Sequence, residues 1–239
     1  MLSALSNALA GIVFVSSIAS SPRVFSSDLL THSKNQISPG DILFLNTHTA
    51  QIRISIQSWK SLRDSQIIKQ DFDYSCSAAS LATLLNGFYG QSLDEESLLK
   101  AMDRADMRAS FDDMQKALTE FGFKAQGFAA SYEQLTKLKA PVVVYLKHRK
   151  DDHFSVLRGI NKHTVWLADP SLGNKTYSKA QFLEMWQTRS NPADADLSGK
   201  ILAILPISSE ISTDADYFSK NPLRQTSSTI EQLKFRLFH

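Results

Sequence analysis

The amino-acid sequence predicts an α+β domain in which a run of helices comes first and an antiparallel sheet follows. Between Ser77 and Leu138, apolar residues recur mostly at helical spacing, in runs bounded by capping residues. From Pro141 onward the pattern changes to short β-branched and aromatic runs separated by turns. Helices followed by a strand meander fit segregated layers and not the alternating order of a doubly wound fold.

Taken in order, residues 1–19 have an apolar centre, and no charge precedes Arg23. Ser17-Ile18-Ala19 offers small residues at the two positions a signal peptidase reads, so a signal peptide cleaved after Ala19 is expected. That expectation carries a periplasmic or secreted location with it. The stretch is too short and too rich in Ser for a membrane span. Residues 20–40 are polar and end in Ser38-Pro39-Gly40, a linker and turn. The strictly alternating Gln51–Gln57 predicts a half-buried strand, and with Asp41–Asn46 before it a hairpin is expected.

Ala78, Leu81, Ala82 and Leu85 predict a helix over 77–89, stopped by Gly90. Ser92-Leu93-Asp94-Glu95 caps a second helix through Met102, and a third spans Phe111–Phe121 before Gly122. Lys124–Ala129 reads as a short strand, and Ser131 caps a short helix to Leu138. Val142–Leu146, His153–Ile160 and Thr164–Asp169 are then expected as strands, with the charged Lys147–Asp152 turning the chain. Pro170 and Gly173 mark a turn, Ser178 opens a helix through Trp186, and Gly199–Leu205 is the last strand. The resulting division is an N-terminal extension at 20–65, a catalytic domain at 66–206 and a C-terminal tail at 207–239. The tail is polar until a short amphipathic end at 230–238.

The 239 residues are 43% hydrophobic, enough for one core. The net charge of +2, from 26 basic and 24 acidic side chains, forms no basic stripe, which argues against nucleic acid as a partner. The one cysteine, Cys76, can make no intramolecular disulfide and no Cys-rich zinc site, and no His spacing suggests a metal.

Cys76 opens the most apolar helix of the chain, where the partial positive charge of the free N–H groups favours a nucleophilic thiolate. Ser75 and Ser77 to Ala79 are small and leave room at the sulfur. Such a nucleophile needs a base and a group to orient the base. His153, at the start of one strand, and Asp169, at the end of the next, become neighbours if the two strands pair antiparallel. Gln70, six residues before Cys76, is placed to donate to an oxyanion together with the Cys76 N–H. His148, in the basic turn, is the one rival base and is expected to be solvated. His32 and His48 show no partner pattern, His163 falls in a hairpin turn and His239 is terminal.

These residues resemble the bacteriocin-processing, or double-glycine, cysteine peptidases. The likeness rests on Gln70 six residues before Cys76, Ala78-Ala79-Ser80-Leu81 opening the helix, His153-Phe154, and Asp169-Pro170 with Gly173. It spans residues 66–206 and is closer to stand-alone exported members than to domains fused to peptide-exporting transporters. The resemblance implies a papain-like fold, no metal, no organic cofactor and a peptide or protein substrate cut after Gly-Gly. It also implies a triad of Cys76, His153 and Asp169, with Gln70 in the oxyanion hole. One departure is Ser77, where the family usually has Gly, which bears on the Gly-Gly subsite. The same thioester serves hydrolysis or acyl transfer, and a catalytically silent peptide-binding or assembly module of the same fold is the alternative.

Overall fold

In the computed structural model, the residues described are 42–46, 49–55, 58–102, 109–148, 151–189 and 196–223. The expected signal peptide, the 20–40 linker, His32, His48, His239 and the amphipathic end at 230–238 lie outside them.

Two strands, β1 (Ile42–Asn46) and β2 (Gln51–Ser55), pair antiparallel as the hairpin expected there. They form a two-stranded sheet of their own, apart from the main sheet, and Phe44, Leu45, Ile52 and Ile54 are exposed. The expected half-burial is therefore corrected. Alternation marks a strand, but burial needs a layer laid across one face. Helix α1 (Trp59–Asp64) was not foreseen, because it buries no residue and so shows no apolar period; Ser58 caps it by accepting from the Ser61 N–H at 3.0 Å.

Helix α2 (Cys76–Tyr89) is the centre of the molecule. Twelve of its 14 residues are buried, and Gly90 closes it at φ 64° in the left-handed conformation that glycine adopts without strain. Helices α3 (Glu95–Met102) and α4 (Phe111–Glu120) pack beside it. Asp94 accepts from the Ser97 N–H to start α3, and Ser110 with Asp113 forms a reciprocal capping box for α4. Strand β3 (Phe123–Ala130) and helix α5 (Tyr132–Lys137) follow.

The remaining strands are β4 (Val142–His148), β5 (Asp151–Ile160), β6 (Thr164–Asp169), β7 (Gly173–Ser178) and β8 (Gly199–Pro206), with α6 (Lys179–Trp186) between the last two. The main sheet runs β3-β8-β4-β5-β6-β7, antiparallel throughout. Three expectations change. His148 lies on β4, paired with Asp151, because both strands reach further into the charged stretch than its composition suggested. The polar Gly173–Ser178 is an edge strand and not only a turn, since an edge needs no apolar run. The last strand does not end the meander but enters the middle of the sheet, between β3 and β4.

Both faces of the sheet are covered. Val143, Phe154, Val156, Leu202 and Ile204 face α2–α4, while Val142, Val144, Leu157, Val165 and Ile201 face α5 and α6. This explains why β4 reads as an unbroken apolar run. Residues 207–223, read as tail, are tied to the same body. Tyr217 is buried, its hydroxyl donates to the Thr83 carbonyl of α2 at 3.2 Å, and Ser219 bridges Gly159 of β5. A Cβ at Gly87 would lie 2.1 Å from the Tyr217 ring, so α2 carries glycine where that ring is seated. Gly87→Ala is expected to lower the urea midpoint by an amount worth about 1–3 kcal/mol, the usual effect of overpacking. An unchanged midpoint would mean that Tyr217 does not rest on α2.

Candidate active site

Cys76 is the first residue of α2. No side chain caps this helix, because the Ser75 hydroxyl turns back, donating to the Phe72 carbonyl at 2.8 Å and accepting from its N–H at 3.1 Å. The N–H groups of the first turn are thus left for other use. The loop before the helix is pinned from two sides. Glu95 of α3, itself buried, accepts from the Asp71 N–H at 3.1 Å. The Gln70 N–H donates to the Pro170 carbonyl at 3.2 Å, joining the loop to the residue after Asp169.

Strand β5 carries His153, and α2 is fixed to it by the Ser80 hydroxyl, which donates to the Phe154 carbonyl at 3.1 Å. His153 Nε2 and Asp169 Oδ2 are 2.9 Å apart, which leaves Nδ1 as the other ring nitrogen. The Cys76 side chain is near enough to act on the imidazole and raise its pKa. Asp169 is 3% exposed: Oδ1 accepts from the Ser171 and Leu172 N–H groups at 2.9 and 2.8 Å, and the Ser155 hydroxyl, which donates to the Ala168 carbonyl at 3.1 Å, lies 3.5 Å from Oδ2. The structure therefore brings three of the four sequence-predicted residues onto one chain of contacts.

Gln70, the fourth, lies in the loop joined to Pro170. Its Nε2 donates to the Phe72 carbonyl at 2.9 Å, while its Oε1 is buried without a partner. Ser77 turns its hydroxyl to Met102 Sδ of α3, 3.9 Å away. Ser155 and Glu95 were missed by sequence reading. A serine within the apolar β5 run was the available signal for Ser155, whereas Glu95 read only as a helix start.

The charges follow from burial and contact. Burial disfavours a charged His153, but hydrogen bonds to Asp169 and Cys76 outweigh it and push the pKa up to about 10. Burial likewise raises Asp169, yet the bond to His153 and the two backbone N–H groups leave its carboxyl below the usual carboxylate value. Beside Cys76 opens a cleft of about 760 Å³. Phe111, Tyr145 and Phe154 give it an apolar wall, with Asp73, Asp151 and Lys200 at its edges. The arrangement can present the Cys76 sulfur, with an imidazolium near it as a proton donor, to a chain lying in the cleft.

Because His153 titrates higher folded than its ordinary 6.5, its contribution to stability is complete below pH 6.5 and is lost as pH rises through about 10. The depressed Asp169 contributes above its ordinary 3.8, and that share is lost as pH falls through its lower folded value. The stability lost in His153→Ala is therefore expected to be largest between roughly pH 4 and 6.5 and to shrink toward pH 10. Denaturant melts of both proteins across that range test it, and a gap that widens with pH would reverse the sign assigned here.

Residues 64–190 match the peptidase C39 family. "Probable functional amyloid protease FapD" of Pseudomonas aeruginosa is 34% identical over 138 residues, covering 55% of this chain and 61% of that protein. The protein of that name from Pseudomonas fluorescens is 36% identical over the same shares. This chain thus spans about three fifths of these relatives' length. The peptidase domain of Streptococcus ComA, a bi-functional ABC transporter involved in a quorum-sensing pathway, shares the fold. Its TM-score is 0.50 at 19% identity, over 59% of this chain and 97% of that one.

Proposed function

The chain belongs to the peptidase C39 family of cysteine-type peptidases, and on that premise we propose that it hydrolyses a peptide bond with Cys76, His153 and Asp169 as its triad. The observation that carries this reading is the imidazole held by the buried Asp169 carboxylate at 2.9 Å, on the strand to which the helix opened by Cys76 is pinned.

In this mechanism Cys76 Sγ attacks the scissile carbonyl carbon, forming a C–S bond. His153, whose raised pKa means that it already holds the proton, delivers it to the leaving amine as the C–N bond breaks. Water then attacks the thioester and gives a proton to His153, and the C–S bond breaks to release the acid and return the sulfur to its starting state beside the imidazolium. Asp169 does not react; it fixes the ring so that Nδ1 faces the sulfur and stabilises the imidazolium. The oxyanion is bound by the Cys76 backbone N–H and by Gln70. The Gln70 amide has one proton committed to Phe72 and a second to offer.

The proposed substrate is a peptide or protein cut after Gly-Gly, supported by the likeness of Gln70, Cys76, His153 and Asp169 to the double-glycine peptidases. The FapD relatives support a component of a functional amyloid system as the substrate class. Action outside the cytoplasm is proposed from the apolar stretch at 1–19.

A panel of peptides carrying Gly-Gly, with products identified by mass, tests the whole reading. Cleavage after Gly-Gly by wild type, with none by Cys76→Ala or His153→Ala, is expected, while His148→Ala stays within a few-fold of wild type. A dead His148→Ala in a folded protein would displace His153 as base. Cleavage at other bonds would remove the Gly-Gly subsite and leave the triad standing. For Gln70→Ala, kcat is expected to fall by roughly a hundredfold or more with KM little changed, the effect of losing one oxyanion donor. Near-normal kcat would take Gln70 out of the mechanism.

A further inference from the structure

Side chains alternate between the two faces of a strand, so a slip of one residue moves every group to the other face. At the hairpin end of β5 and β6, Ile160 pairs with Val165 and Gly159 with Trp166. At the other end Leu157 pairs with Leu167 and Val156 with Ala168, so β5 has gained one residue between Leu157 and Gly159. Arg158 is that residue, a β-bulge. Continued past Ala168, the pairing sets Asp169 opposite Ser155, on the face that carries His153 two positions away. Without the extra residue, Asp169 would face Val156, whose side chain lies on the other side of β5 from His153.

Arg158 is a buried cation that the catalytic reading leaves unused. It is 5% exposed; among the described residues no carboxylate lies within ion-pair distance of it, and Asp214 acts on it from further away. A buried charge of this kind persists only where its donors and its planar face are satisfied. Its guanidinium carbon lies 4.6 Å from the centre of the Trp166 ring and 4.1 Å from that of Tyr217. Its nitrogens donate to Gln66 Oε1 and, at 3.5 Å, to Asn174 Oδ1 and the Tyr217 carbonyl. Gln66 is held for this at φ 57°, a backbone conformation a residue with a side chain rarely takes. Tyr217 also reaches α2 through Thr83, so one ring joins the helix of Cys76 to the strand of His153.

We propose that Arg158 is a positioning residue for the triad: clamped at the β5 bulge by Trp166 and by Tyr217 of the C-terminal segment, it holds the one-residue offset that sets His153 beside Asp169. The proposal rests on the triad reading above. The segment at 207–223 is, on this account, a working part of the peptidase and not an appendage.

The test uses the full-length protein and two readouts at temperatures where each variant is folded by circular dichroism. One is the rate of Cys76 alkylation by iodoacetamide against pH; the other is kcat and KM on the peptide cleaved by wild type. Arg158→Ala and Tyr217→Ala are expected to lower kcat roughly tenfold to a hundredfold, the scale of a small misplacement of reacting groups, with KM within about twofold. Their alkylation profiles are expected to move toward that of His153→Ala. Tyr217→Phe keeps the ring against the guanidinium but loses the bond to Thr83, and is expected to fall between wild type and Tyr217→Ala in both readouts. Should Arg158→Ala fail to fold, Arg158→Lys decides, since it keeps the charge and loses the planar stack. Variants that melt lower yet keep the wild-type kcat and alkylation profile would overturn the proposal, leaving Arg158 a stabilising residue only. If His153→Ala itself alkylates as wild type does, the triad reading falls and takes the proposal with it.

Discussion

The site depends on one constraint, the pairing of β5 with β6. Asp169 ends β6 and His153 lies near the start of β5, sixteen positions earlier, and only the strand register makes them neighbours at 2.9 Å. Asp169 can hold the imidazole because its own position is set by backbone, through the Ser171 and Leu172 N–H groups. Cys76 joins them because α2 is pinned to β5 by Ser80 and to the segment after β8 through Thr83 and Tyr217. His153, Asp169 and Cys76 are thus fixed by three different kinds of contact, each made by elements that are buried.

Burial also sets the electrostatics. An isolated carboxylate at the depth of Asp169 would lose its hydration without return, and an imidazolium at His153 would fare no better. Each offsets the other's desolvation, and the backbone donors complete the satisfaction of Asp169. The cleft beside them is of a different character. Its aromatic wall suits the apolar parts of a peptide, and Tyr145 ends in a hydroxyl bonded to Asp152, so the wall has a polar upper margin. Reactive groups and binding surface meet at Cys76, which belongs to both.

How far the site was legible in the sequence follows from which signals are local. The helix around Leu81 and Leu85, the caps at Ser110, Ser131 and Ser178, and strand Thr164–Asp169 are written in spacing that a few neighbouring residues enforce. The meeting of His153 and Asp169 was legible because one short turn separates their strands. What escaped depends on partners distant in sequence. Helix α1 buries nothing, and β7 is a polar edge, so neither prints a period. The bulge at Arg158 looks like one more residue of a strand until its partner strand is seen. Tyr217 sits in a polar stretch, and its burial comes from a glycine 130 positions earlier that makes room for it. The exposed sides of β1 and β2 show the converse, an amphipathic alternation with no layer laid over it.

The place of β8 has a consequence in time. The ribosome delivers the chain from its N-terminus, and nearly everything that carries chemistry is out by residue 178. Yet the strand that fills the middle of the sheet comes later still, pairing with β3 on one side and β4 on the other. Until it arrives, both of those strands present unpaired edges, and the apolar faces over which α2 packs are only half assembled. Contacts that span so much sequence form slowly. A nascent chain therefore carries Cys76 and His153 for some time before the sheet that brings them together is complete, and that waits on the synthesis of β8.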